Sequence, residues 1–177
     1  MKLRHNLTIL LLSMVLMACS STTQTGFWRN PDYTEKIHKI YIVGVARLDI
    51  NRFQFEDVFS DELQARGAVA IPSYKDGNFP VSLDEQTIVD RAFSNGADSV
   101  LVAKALGEYG RRYEVDYQPA TTTEYRVVTL EVVIYETKTG KAIWSGQFET
   151  VMDRRYEFLF SDFAKAVAKD LAHNGLL

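Results

Sequence analysis

Apolar positions along the chain follow two rhythms, separated by polar punctuation. Residues 39–45 read Lys-Ile-Tyr-Ile-Val-Gly-Val, a β-branched run that predicts a buried strand. Phe55, Val58, Phe59 and Leu63 recur at steps of three and four, so a helix is expected over 51–67 with Gly67 as its stop. Residues 68–72 read as a second short strand. Ser82-Leu83-Asp84-Glu85 has the form of a capping box. There the Ser82 hydroxyl would take a first-turn amide and Glu85 would reach back. The helix it opens carries Ile88, Val89, Ala92 and Phe93 on one side and ends near Gly96. Ser-Val-Leu-Val-Ala at 99–103 places a third buried strand within 98–106.

The rhythm then changes to long alternating strands. In 126–135, Val128, Leu130, Val132 and Ile134 share one face, and Val127, Val133 and Tyr135 the other. Residues 136–141 are turn material. Residues 142–151 return with Trp144, Gly146 and Phe148 on one face, which is the strongest hairpin signal in the chain. Phe160, Phe163, Ala164, Val167, Ala168 and Leu171 give a final helix over 161–173, ended by Asn174-Gly175. The expected class is α/β (α+β), with one mixed sheet of about five strands in the order β-α-β-α-β-β-β-α. The alternating first half implies parallel pairing among its three strands, and three helices pack on the sheet.

The N-terminus follows neither rhythm. Lys2 and Arg4 precede eleven mostly apolar residues, 7–17. That run is too short for a bilayer span of about 20 residues, and it has the dimensions of a secretory signal. Leu16-Met17-Ala18-Cys19 follows it directly and resembles the bacterial lipobox. The resemblance implies cleavage before Cys19, diacylglycerol on its thiol and acylation of its new amine. Two or three acyl chains anchor stably where one would not. Ser20 in place of Asp implies, by the same resemblance, sorting to the outer membrane. The expected organisation is a signal peptide over 1–18, a lipidated polar tether over 19–26 and a single periplasmic domain over 27–177. A tether of that length reaches no more than about 25 Å, so the domain would stay near the membrane. Trp28 and Tyr33, just past it, suit either the lipid headgroups or the edge of the core.

Composition removes most chemistry. Cys19 is the single cysteine, so no intrachain disulfide or cysteine-built zinc site is available. A net charge of −3 offers no general attraction to nucleic acid. His38 and His173 are the only histidines past the signal, and both read as surface residues. No nucleophile elbow, P-loop or dinucleotide fingerprint occurs. Glu56, Asp57, Asp61 and Glu62 read as the charged outer face of a helix. No catalytic residue, metal site or cofactor is expected, and the protein reads as a non-enzyme.

Gly96-Ala97-Asp98 at a strand start and Trp144-Ser145-Gly146 on the strand after the hairpin carry a second resemblance. Together with the element order and the lipobox, they are similar to a group of envelope lipoprotein domains. That group includes the N-terminal domain of TolB, the lipoprotein activators of penicillin-binding proteins and the curli secretion lipoprotein. The resemblance implies a structural, non-catalytic module. It does not extend to the curli lipoprotein's pore, because the 108–124 connection is too short and carries Gly110, Arg111, Arg112 and Pro119.

That connection is the most unusual stretch. Tyr109, Arg111, Arg112, Tyr113 and Tyr117 are residue types favoured at interface hot spots, and a connection this long inside a domain is often functional. It reads equally as a twisted hairpin extension. The expected role is an outer-membrane-anchored periplasmic lipoprotein that binds or assists another envelope protein. Its membrane contact would run through the lipid on Cys19. The other class open to the sequence is a carrier of a small apolar ligand or lipid, with a pocket between helices and sheet.

Overall fold

Both strands of the expected hairpin are interior strands of the sheet in the computed structural model. The structure describes residues 21–46, 48–77, 84–115, 121–152 and 156–177, the side chains of 111–115, 121–124 and 156–159 excepted. The elements are β1 (Thr22–Arg29), β2 (Lys39–Val45), α1 (Asp49–Gln64), β3 (Val69–Pro72), α2 (Glu85–Ser94), β4 (Ser99–Val115), β5 (Thr121–Glu136), β6 (Ala142–Met152) and α3 (Tyr156–His173). A single turn of 3₁₀ helix, Ser73–Lys75, follows β3.

The six strands make one mixed sheet in the order β1-β6-β5-β4-β2-β3. β2 pairs in parallel with both β3 and β4, and the remaining pairs are antiparallel. The expected single mixed sheet with three helices is therefore the observed architecture. Side-chain alternation splits the core in two. Ile40, Ile42, Leu101, Leu130, Val132, Trp144 and Phe148 pack with α1 and α3 on one face. Tyr41, Val43 and Val100 pack with α2 on the other. Phe163 of α3 meets Phe59 and Phe148 edge-on, each with ring centroids 5.3 Å apart.

Four sequence expectations need correction. The polar stretch expected as a tether over 19–26 becomes, from Thr22 onward, an edge strand paired with β6. It lacks an apolar pattern because most of it faces water. What holds it is the backbone ladder and a buried Thr22–Thr150 hydroxyl pair at 2.9 Å. The third strand does not end near residue 106. A bulge between Ala105 and Gly107 carries it on to Val115, in register with β5 as far as Thr121. The α2 cap is Asp84, whose carboxylate accepts from the Thr87 amide at 2.9 Å, while Ser82 lies outside the described residues. Phe93, placed on the buried side of that helix, is 60% exposed.

Candidate functional site

The polar side chains that looked free in the sequence are mostly consumed by the scaffold. Glu56 is the clearest case, and it corrects the reading of an outer carboxylate face. It is 0% exposed, and its carboxylate accepts from the Gly44 amide at 3.0 Å, the Ser73 hydroxyl at 2.6 Å and the Tyr74 amide at 3.0 Å. One side chain of α1 thus fastens the end of β2 to the turn after β3. Burial pushes its carboxyl above the ordinary carboxylate range, against those hydrogen bonds and Arg52, which pull it down. Asp57 accepts from the Tyr74 hydroxyl at 2.7 Å and pairs with Lys75 at 3.2 Å. Asp61 is exposed, and Glu62 pairs with Arg66 one turn on.

The two motifs of the family resemblance are also structural. Asp98 Oδ2 accepts from the amides of His38 and Lys39 at 2.8 and 2.9 Å, so the residue before β4 holds the start of β2. Trp144 is fully buried and donates its indole N–H to Asp170 of α3 at 3.0 Å. Gly146 is required there, because a Cβ would lie 2.6 Å from the Trp144 ring and 2.7 Å from that of Phe148. Tyr33 belongs to the buried core, not to a headgroup belt. Burial first, then Asp98 and Glu136, push its phenol up to about 12. Trp28 is partly exposed on the edge strand. His38 and His173 are exposed at opposite ends of the chain. Among the described residues, no three side chains of metal-ligating type converge, and no helix is long and apolar enough to cross a membrane.

The candidate partner-binding residues lie on the paired extension of β4. Tyr109 stands opposite Val127 and is 36% exposed. Arg111, Arg112 and Tyr113 stand opposite Tyr125, Glu124 and Thr123. The backbone here forms a paired hairpin extension of β4 and β5. Tyr117 and Cys19 lie outside the described residues.

Among the described residues, the sheet and helices leave a sizeable apolar space. A cavity of about 570 Å³ lies between α1, α3 and the sheet. Gly44, Val45 and Ala46 of the β2 end, Phe55 of α1 and Ala103 and Ala105 of β4 line one side. Val128 and Leu130 of β5, Met152 of β6 and Phe160 and Phe163 of α3 line the other. Its volume is in the range of small-molecule sites, about 300–1,000 Å³. A pocket of this kind between helices and sheet was anticipated, but not its lining. The usable signal is the set of small residues, Gly44 and Ala46 at the end of β2 and Ala103 and Ala105 within β4, in a cavity walled on the helix side by Phe55, Phe160 and Phe163. A Cβ on Gly44 would already meet Phe55 at 2.7 Å.

No family model matches the sequence, and no curated protein does. Among solved structures, the fold is similar to that of the PelC dodecamer from Paraburkholderia phytofirmans. The TM-score is 0.50 and the identity 16%, over 85% of this chain and 95% of that one. Lipoprotein GNA1162 from Neisseria meningitidis is similar at a TM-score of 0.48 and 14% identity, over 77% of this chain and 99% of that one. A minor lipoprotein from Acinetobacter baumannii follows at 0.39 and 14%, over 79% and 96%. At 16% identity the likeness to the PelC chain is one of fold.

Proposed function

We propose that this chain is an outer-membrane-anchored periplasmic lipoprotein that acts as a non-catalytic binding or accessory module for another envelope protein. The observation that carries the reading is the placement of Leu16-Met17-Ala18-Cys19 directly before the first strand at Thr22. A lipid on Cys19 would hold the sheet against the membrane and raise the domain's effective concentration near a membrane-proximal partner. Recognition falls to the β4–β5 extension and its Tyr109, Arg111, Arg112, Tyr113 and Tyr117. The polar groups elsewhere in the described residues support a non-enzymatic role. Glu56, Asp76, Asp98 and Asp170 all serve backbone or side-chain donors of the scaffold.

In-cell crosslinking tests this reading. The Arg111→Ala, Tyr113→Ala double variant should fold and localise as the parent does and lose its crosslinks to envelope proteins. Undiminished crosslinking would remove the extension as the recognition surface. The cavity favours a second reading, a carrier of a small apolar ligand. Native mass spectrometry of protein taken from membranes separates the two. A non-covalent companion mass supports the carrier, and its absence supports the binding module.

A further inference from the structure

The cavity and the start of β1 meet at one end of the sheet. Strand register establishes this. Thr22 of β1 stands opposite Thr150 of β6, Thr150 opposite Val128 of β5, and Val128 opposite Glu108 of β4. The cavity is lined by the last two members of that row and by Met152, two residues past Thr150. Adjacent strands lie about 4.8 Å apart, so the Thr22 backbone is about 10 Å from that of Val128. The chain at this point is pinned. The Val151 amide donates to the Ser21 carbonyl at 2.9 Å, and the Ser21 hydroxyl donates to Asp162 of α3 at 2.7 Å. Asp162 lies between Phe160 and Phe163, both of the cavity wall. Cys19 is three residues before Thr22, a reach of no more than about 11 Å.

The rim is apolar as well. Leu48 is 60% exposed and Ile50 58%, at the start of α1 beside the lining residue Asn51. Exposed apolar side chains next to an apolar cavity suit a lipid or ligand contact better than a solvated surface.

We infer that this cavity is an acyl-chain site and that its occupant is one of the fatty chains carried by Cys19. The inference rests on the proposed lipidation. A bilayer is as apolar as the cavity, so burial alone does not favour either place. Tethering favours the Cys19 chain over free phospholipid as the occupant, because an attachment point within about 11 Å of Thr22 gives that chain a high local concentration near the cavity. With one chain seated and the others in the bilayer, the cavity mouth and its rim are held against the membrane.

The test uses the full chain in cells fed a palmitate analogue that bears a diazirine and an alkyne. Intact membranes are irradiated, the protein is purified, and the digested peptides are mapped. The expected product joins the N-terminal lipopeptide to peptides that contain Val128–Leu130 or Phe160–Phe163. Ala105→Trp projects a large side chain into the cavity from an exposed strand position. It should lower that product several-fold, with unchanged palmitate incorporation and unchanged circular dichroism. Met152→Trp serves the same purpose from the opposite wall. Protein that carries the label without adducts in the cavity peptides overturns the site, as does a yield that neither variant lowers. Adducts there from phospholipid, in place of the Cys19 chain, overturn the proposed source. If the protein carries no label at all, the lipidation reading itself fails and takes this inference with it.

Discussion

The Ser21 hydroxyl donates to Asp162 Oδ2 at 2.7 Å, a bond between residues 141 apart in sequence. It fastens the chain two residues past Cys19 to the helix that roofs the cavity. A part-buried hydrogen bond to a charged acceptor contributes about 1.5–3 kcal/mol, so Asp162→Ala should destabilise the fold by roughly that amount or less. Ser21→Ala added to it should cost almost nothing more, because both changes remove the same bond. A double-mutant cycle by chemical denaturation measures the coupling. Additive effects would show that the two residues act apart.

Glu56 makes stability depend on pH in a direction opposite to that of a salt-bridged carboxylate. Burial holds its folded-state value above the ordinary one, so the folded chain binds its proton more readily than the unfolded chain. This contribution is complete below the ordinary carboxylate range and is lost as pH rises through the raised folded value. Relative to Glu56→Gln, the parent should therefore lose stability with rising pH across that interval. Unfolding curves at a series of pH values check the sign. Glu56→Ala leaves the Gly44 and Tyr74 amides and the Ser73 hydroxyl without their acceptor, at about 1–3 kcal/mol for each buried donor left unpaired.

Gly146→Ala tests the packing role of the Trp144-Ser145-Gly146 motif. The new methyl would fall 2.6 Å from one buried ring and 2.7 Å from another. Overpacking of this kind costs about 1–3 kcal/mol, read as a lower melting temperature and a changed tryptophan emission. Gly26→Ala, where a Cβ meets nothing within 4 Å, is the control and should change little.

Asp98 tests the other motif. Asp98→Ala removes the acceptor of two β2 amides and should cost about 1–3 kcal/mol for each donor left unpaired. Asp98→Asn keeps one oxygen for both and should retain most of that stability. Hydrogen exchange at the His38 and Lys39 amides separates the two variants.

Much of this architecture was legible because apolar rhythm reports burial. β2, β5, β6 and the stripe of α3 are buried on the faces their patterns assign. Elements held by other forces were missed. β1 is largely polar, and its place depends on a partner strand more than 110 residues away. The outer part of β4 contains Gly110, Arg111 and Arg112, types that read as loop, and its pairing is imposed by β5 across the hairpin. Glu56 looks like its solvated neighbours because its three donors come from Gly44, Ser73 and Tyr74, none of them on its helix. The cavity is a gap between elements, so only the small residues along its wall hint at it.

Intact-mass and peptide analysis of the native protein, extracted from membranes without hydrolysis, tests the central claim most directly. The account predicts a chain that begins at Cys19, whose sulfur carries diacylglycerol. A free thiol at Cys19, or cleavage at another bond, would contradict it.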